Sequence, residues 1–345
     1  MKYIIKKVLS SNFSVCFLIV AIFHVSCGRT PKEEETLKEL VCQTNSLNVE
    51  FYIPLKINFI DGRFFIPDFH GERMICEIKR EPFERVGDFG VRGQGPVEFI
   101  GPLLTWEFDN KLFVFDRRGF KLGFYEVMIP DLLSVYKFTE LFFVNNSINK
   151  LISIDHNTFL AAGYFEGGRY AILDSLGKER SFFGAYPAFM DGEDNIPFDA
   201  KAMFHQVKFT ASYDKKRIAA ISRHVVDIID YSGPQPIIFS EIKLADYAYD
   251  YQSGDMLSTD LKSGFVTGAT SVSSSQNFIY VLFNPLLKGE QIEKEKVKQE
   301  VLVFNWEGEM IGKHSVSCEL SLIKAIDDYS LFGITKELDF VTLSL

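Results

Sequence analysis

Histidine, serine and aspartate are the residue types through which this 345-residue chain could carry out chemistry, and their spacing matches no catalytic or metal-binding motif. No Gly-x-Ser-x-Gly turn is present that would expose a nucleophilic serine. The histidines beyond the N-terminal segment lack the close spacing of a zinc site; they are His70, His156, His205, His224 and His314. The sequence therefore predicts no catalytic residue and no metal site.

One acidic run could bind a cation. Asp191-Gly192-Glu193-Asp194-Asn195 places four oxygen-bearing side chains within five residues. A calcium-binding loop spreads such ligands over a longer segment with regular spacing, which this run lacks. We interpret the run as a solvated acidic loop, and calcium is the alternative cofactor.

The composition is that of a folded, acidic protein. Hydrophobic residues make up 47% of the chain, charged residues make up 24%, and the formal net charge is −9. This balance excludes a disordered or collagen-like chain. Binding nucleic acid requires a basic face, and no cluster of lysine and arginine provides one. We expect a monomer with no nucleic-acid partner.

Residues 1–26 have the layout of a secretory signal peptide. A basic start precedes an apolar run from Phe13 to Val25, which is too short to span a bilayer as a helix. The small residue before Cys27 resembles the lipobox of bacterial lipoproteins, in which the cysteine is acylated. We predict that residues 27–46 form the lipidated cysteine and a polar tether, with acylated Cys27 inserted in the lipid bilayer. The alternative is an ordinary signal peptide with an incidental Cys27.

This leader also predicts where the protein is located and how its cysteines behave. The expected location is the bacterial outer membrane, with the domain facing the periplasm or the cell surface. After Cys27 is assigned to the anchor, Cys42, Cys76 and Cys318 remain, and three cysteines cannot all pair within one chain. An oxidising compartment allows one disulfide. Buried thiols are the favoured interpretation, and the pairing stays open.

Residues 47–345 form a succession of short β-rich runs separated by glycine, aspartate, asparagine and serine. One run recurs six times, and the ends of successive copies lie 48 to 62 residues apart. The six copies span residues 63–68, 111–116, 158–164, 217–222, 278–284 and 330–336. A period that holds four short strands is typical of a propeller. The predicted fold class is an all-β six-bladed β-propeller with four antiparallel strands per blade.

The last repeat contains three β-rich runs before the chain stops, so its blade lacks one strand. The run Val49–Ile53 precedes the inner strand of the first repeat and has no other assignment. We predict that this N-terminal strand completes the last blade, because closing the ring protects edges that would otherwise aggregate. Phenylalanine supplies 34 residues, and we assign many of them to packing between blades.

Several motifs resemble a known family. The segment Gly90–Phe99, GVRGQGPVEF, resembles a linker between the first two blades of bacterial six-bladed propeller lipoproteins. Gly168-Arg169-Tyr170, residues 200–205 and residues 212–219 are similar to the TolB-like branch of that group. Tyr213 and Lys215 depart from the usual Ser-Pro-Asp-Gly-Lys turn. The resemblance implies a propeller lipoprotein and carries no established catalytic residues with it.

Within a blade, the loops from the second to the third strand and from the fourth strand to the next blade lie on one face, which we call the long-loop face. The longest predicted connections belong to these two classes: 88–102, 185–205, 244–267 and 285–299. Long loops on a rigid ring often bind ligands. The candidate binding residues on this face are Arg92, Glu98, Asp191, Glu193, Asp194, Lys201, His205, Tyr249 and Tyr251.

Two functions follow from these observations. The first is a non-catalytic binding or scaffolding module that presents the long-loop face to a protein, peptide or glycan. The second is a propeller-type hydrolase or lyase that acts on a carbohydrate or lactone at the central channel. The second requires polar side chains of the inner strands to converge on the axis. The candidates for that role are Lys208, Ser212, Thr270 and Glu319.

Overall fold

The computed structural model describes residues 38–45, 50–127, 136–189, 193, 196–245, 249–252, 256–259, 268–285 and 298–345. The predicted signal peptide and Cys27 lie outside these residues. Two short strands, β1 (Lys38–Leu40) and β2 (Gln43–Thr44), come first. Within the described residues, no helix combines the length and the apolar character needed to cross a membrane.

Six antiparallel sheets follow one another along the chain and form the blades. Blade 1 consists of β3 (Asn58–Ile60), β4 (Arg63–Pro67), β5 (Arg73–Lys79) and β6 (Glu84–Arg92), and the short strand β7 (Glu98–Phe99) pairs in parallel with the edge of β6. Blade 2 consists of β8 (Leu103–Phe108), β9 (Lys111–Asp116), β10 (Lys121–Glu126) and β11 (Phe138–Phe143). Blade 3 consists of β12 (Ile148–Ser153), β13 (Phe159–Gly163), β14 (Tyr170–Leu173) and β15 (Glu179–Phe183).

The second half repeats this order. Blade 4 consists of β16 (Lys208–Ala211), β17 (Arg217–Ile221), β18 (Val225–Asp230) and β19 (Ile237–Lys243). A two-stranded ribbon, β20 (Tyr249–Gln252) and β21 (Met256–Thr259), precedes blade 5. Blade 5 consists of β22 (Gly268–Ser274), β23 (Phe278–Asn284), β24 (Glu300–Asn305) and β25 (Met310–Val316). Blade 6 consists of β26 (Leu320–Ala325), β27 (Ser330–Thr335) and β28 (Phe340–Ser344).

This architecture confirms the predicted fold class. The six recurring runs are the second strands of the six blades, β4, β9, β13, β17, β23 and β27. These strands are almost wholly buried, because a neighbouring blade covers each face of the sheet. Their continuous apolar character is what made the repeat recognisable.

Ring closure by an N-terminal strand is confirmed, but the predicted segment is wrong. The fourth strand of blade 6 is β2, which pairs with β28 through Gln43 and Thr44. Strand β1 adds to blade 5 as a fifth strand, parallel to β25. The described residues of Val49–Ile53 do not pair with blade 6. Instead, the Asp68 carboxylate accepts hydrogen bonds from the backbone N–H groups of Tyr52 and Ile53.

A disulfide joins Cys42 to Cys318, so the interpretation as buried thiols is wrong for these two residues. Cys42 lies between β1 and β2, and Cys318 lies between blades 5 and 6, which brings the two sulfur atoms together only after the ring closes. Cys76 stays a free, buried thiol. Burial raises the pKa of Cys76 to about 12, with a further contribution from Asp88, so this thiol is unreactive.

Phenylalanine rings fill the spaces between blades, as predicted. At the junction of the last and first blades, the Phe64 ring lies 4.6 Å from the Phe332 ring and 5.3 Å from the Phe340 ring, measured between centroids. Phe51 packs into the same cluster, whereas Tyr52 and Ile53 beside it are exposed. Large rings without polar atoms fill such wedges at little cost in lost hydrogen bonds.

Additional elements concentrate on the long-loop face. Strand β7, the short helix α1 (Phe198–Phe204) and the ribbon of β20 and β21 all lie in connections from one blade to the next.

Candidate functional site

The glycine-rich segment between blades 1 and 2 is a structural crossing. The Gly95 N–H donates to the Glu98 carboxylate, 2.9 Å away. The Lys121 ammonium donates to the carbonyl oxygens of Gly95, Pro96 and Glu98, at 3.1, 2.9 and 3.0 Å. A Cβ at position 93 would lie 2.0 Å from the Glu98 carboxylate, so a larger residue there would displace the side chain that accepts the Gly95 hydrogen bond. Glu98 therefore holds the loop, and Lys121 is a partner that sequence reasoning missed.

Arg92 lies on the surface beside this crossing. Its guanidinium lies 5.5 Å from the centroid of the Phe69 ring and donates to the backbone carbonyls of Phe69 and Ile100. These contacts position the side chain, and the residue as a whole stays exposed. Arg92 therefore stays a candidate contact residue on the long-loop face.

The connection between blades 3 and 4 contains the next group of candidates. Glu193 is buried and accepts a hydrogen bond from the Phe189 N–H, so it stabilises its own loop. His205 is buried between aromatic rings, 6.0 Å from Phe189 and 5.9 Å from Tyr186. Burial, together with Arg169, lowers the pKa of His205 to about 3, which keeps the imidazole neutral. Lys201 lies on α1, half-buried.

The remaining candidates are only partly described. Asp191 and Asp194 lie outside the described residues, so a calcium site in that loop stays a prediction. Tyr249 and Tyr251 lie on β20, in register with Thr259 and Leu257 of β21. The candidates thus occupy three separate connections on one face. Among the described residues, no group of three or more His, Cys, Asp or Glu side chains could hold a metal ion.

A buried polar cluster lies between blades 3 and 4. Arg169 forms an ion pair with Asp227, and the Tyr170 hydroxyl donates to the same carboxylate. Burial raises the pKa of Asp227 and of Tyr170, although Arg169 opposes both shifts. All three side chains are inaccessible to solvent. The motif Gly168-Arg169-Tyr170 therefore serves blade packing.

A large cavity lies on the face opposite to the long loops. It has a volume of about 760 Å³ and forms the wide mouth of the central channel, where first strands turn into second strands. Trp106, Phe108 and Tyr213 contribute aromatic surface to its wall. Glu107 and Lys324, from the first strands of blades 2 and 6, form an ion pair there. Burial alone would raise the pKa of Glu107, but Lys324 and Lys56 lower it.

Toward the long-loop face the channel narrows to a cavity of about 110 Å³. Lys56, Lys150 and Lys208 line it, from blades 1, 3 and 4. Both cavities share Lys56 and Trp106 in their linings, so they are parts of one channel. Sequence reasoning chose Lys208, Ser212 and Thr270 as channel residues, and all three line it.

Sequence reasoning also missed or misplaced channel residues. The sequence did not indicate four further channel residues: Lys56, Glu107, Lys150 and Lys324. Their positions in or beside first strands are the only signal that could have identified them. Glu319, which was chosen, is exposed, pairs with Lys336 at 2.7 Å and lines neither cavity.

Comparison with known proteins identifies the family of propellers to which the fold is similar. A family model described as TolB-like 6-blade propeller-like matches residues 31–322. A Bacteroides fragilis protein named as an exported protein has a structure with a TM-score of 0.55 at 12% identity, covering 88% of this chain and 94% of its own. The β-propeller domain of Myceliophteria thermophila Cps50 (Swd1) has a TM-score of 0.50 at 9% identity, covering 88% and 99%. No curated protein matches in sequence.

Proposed function

The chain belongs to the TolB-like 6-blade propeller-like family, and from that premise we propose that it is a lipid-anchored binding or scaffolding module of the cell envelope. The family and the exported neighbour support an envelope or secreted protein. Acylated Cys27 in the outer membrane is the anchor that the lipobox-like sequence predicts. The Cys42–Cys318 disulfide supports an oxidising compartment outside the cytosol.

The observation that carries this proposal is the placement of the elements that a propeller does not need. Strand β7, helix α1 and the β20–β21 ribbon all extend the long-loop face. The blades are complete without them. Such additions on a rigid ring commonly form a binding surface, because the ring holds them in place and their side chains are free to contact a ligand.

Exposed side chains on this face favour a protein or peptide over a glycan as the partner. Phe198 and Met203 project from α1 with 38% and 42% of their surface exposed, and Val97, beside β7, is 57% exposed. Large apolar side chains at the surface are typical of protein contacts. A glycan would instead use the tyrosines of β20.

Site-specific photo-crosslinking in intact cells tests both the face and the anchor. Benzoylphenylalanine replaces Phe198 or Met203 on the long-loop face, and Leu176 or Met310 in the turns of the opposite face serve as matched exposed controls. We expect a discrete adduct from the first pair alone, and protease sensitivity of the adduct identifies a protein partner. The Cys27→Ala variant should move from the membrane to the soluble fraction. Adducts that arise equally from both faces would contradict the proposal.

A hydrolase or lyase acting on a carbohydrate or lactone is the second candidate. The channel mouth favours it, because a cavity of about 760 Å³ with an embedded Glu107–Lys324 pair has the size and polarity of a small-molecule site. Turnover of a saccharide or lactone panel that Glu107→Gln abolishes would establish this function. A channel that binds such ligands without consuming them would exclude it.

A further inference from the structure

Three lysines line the narrow part of the channel, and there are fewer carboxylates than lysines to balance their charge. Within the described residues, Lys56, Lys150 and Lys208 have no hydrogen-bond or ion-pair partner. Glu107 is the acid that acts on Lys56, and its carboxylate already accepts a hydrogen bond from Lys324. Arg117 and Arg223 add positive charge near Lys150 and Lys208. This part of the channel therefore carries an excess of positive charge.

Burial and neighbouring cations lower the pKa of all three lysines. Burial lowers the pKa of Lys56 to about 8. Burial also lowers the pKa of Lys150 to about 7, and the charges of Lys208, Arg117 and Lys56 lower it further. The pKa of Lys208 is lowered by burial and by Arg223. Like charges held together in poorly solvated surroundings raise the free energy of the folded protein, and a bound anion would relieve that cost.

The channel also has the space that an anion needs. The narrow cavity of about 110 Å³ holds a carboxylate or phosphate group, and the hydroxyl-bearing residues Thr105, Thr270 and Ser271 line it beside the lysines. The adjoining mouth of about 760 Å³ accommodates the rest of a sugar-sized ligand. Its aromatic wall at Trp106, Phe108 and Tyr213 suits the flat face of such a ligand.

We propose that the central channel binds the carboxylate or phosphate group of a small organic ligand between Lys56, Lys150 and Lys208, with the body of the ligand in the mouth. This site is independent of the long-loop face, so it stands or fails separately from the proposed binding function. Ammonium groups bind oxyanions through charge-assisted hydrogen bonds, which are stronger than hydrogen bonds between neutral groups.

Trp106 provides a reporter inside the channel. The chain has two tryptophans, and Trp306→Phe leaves Trp106 as the source of tryptophan fluorescence. Trp106 lines both cavities. The probes are galacturonate, glucose 6-phosphate, acetate and inorganic phosphate, with galactose and glucose as neutral controls. Calorimetry on the unmodified propeller measures the same affinities.

We expect at least one of the four anions to bind saturably and to change Trp106 fluorescence, while the neutral sugars do not. Whether galacturonate or glucose 6-phosphate binds more tightly distinguishes a carboxylate ligand from a phosphate ligand. Lys150→Gln and Lys208→Gln should each weaken binding about tenfold or more. Lys178→Gln removes an exposed charge from the same blade as Lys150 and should leave affinity unchanged.

Thermal unfolding of each variant confirms that it folds, which is expected because removing one of several like charges relieves repulsion. Absence of binding by all four anions overturns the proposal. Equal losses in Lys178→Gln and in the channel variants would also overturn it, because the effect would then reflect net charge alone.

Discussion

At Asp227, an arginine, a tyrosine and a carboxylate meet where water is excluded. Arg169 pairs with the carboxylate and Tyr170 donates to it, so one acid from blade 4 holds two side chains of blade 3. Buried charges of this kind need their partners, since a lone charge in the interior is costly. The channel lysines differ, because they line a cavity and have no such partners among the described residues. This contrast separates structural charge from charge available to a ligand.

The stability of the protein should depend on the charge of Lys150. Below pH 7 Lys150 is protonated in both the folded and the unfolded chain, so the folded state bears the full cost of its charge. As pH rises from about 7 toward the ordinary pKa of 10.5, the folded protein releases this proton first and gains stability. We expect Lys150→Met to unfold at a higher temperature than the wild type at pH 6, with a difference that shrinks by pH 9.

The same comparison for Lys178→Met, whose side chain is exposed, should give a difference that does not vary with pH. Lys56 and Lys208 titrate in both the wild type and Lys150→Met, so most of their contribution cancels in the difference. Thermal melts at pH 6, 7.5 and 9 are sufficient. A constant difference for Lys150→Met would show that Lys150 is well solvated in the channel.

Among the elements, the crossing between blades 1 and 2 depends on a side chain from a later strand. Lys121 begins β10 and donates to three carbonyl oxygens of the crossing. Strand β7 pairs with β6 through only two residues, too few to hold the loop alone. The Lys121 side chain therefore clamps the backbone of the crossing. The glycines of the crossing allow the backbone to come close to the ammonium group.

Lys121→Met should lower the free energy of unfolding by about 2–4 kcal/mol, because three carbonyl oxygens of the crossing lose a charged donor. Hydrogen exchange at Gly93, Gly95 and Glu98 should accelerate, while exchange in blade 4 stays unchanged. Lys178→Met provides the control for loss of an exposed lysine. Unaltered protection at the three amides would refute the clamp.

For the whole molecule, the closure of the ring is the decisive contact. Strands β1 and β2 lie on either side of Cys42 and pair with blades 5 and 6, and the disulfide fixes Cys42 to the connection between these blades. The bond spans a sequence separation of 276 residues. A cross-link over so long a loop removes much of the freedom of the unfolded chain.

The double variant Cys42→Ser, Cys318→Ser should lose about 3–5 kcal/mol of unfolding free energy in chemical denaturation. Reductant should destabilise the wild type to a similar extent and leave the double variant unaffected. Anion binding in the channel should persist in both, since neither cysteine lines it. Equal stability of wild type and variant under oxidising conditions would show that the short strands close the ring without the disulfide.

The sequence determined the repeating unit, because each second strand is a short apolar run between turn residues, and that pattern reflects only local structure and burial. It also indicated the crossing Gly90–Phe99, through a glycine-rich motif that resembles the linker of the family. The sequence did not identify the strand that closes the ring, because Gln43–Thr44 is short, polar and exposed and shows no hydrophobic periodicity. Only the closed ring brings Cys42 to Cys318 and places the lysines of different first strands in one channel. Residues as distant as Lys56 and Lys324 become neighbours only when the last blade meets the first, and no local pattern records that contact.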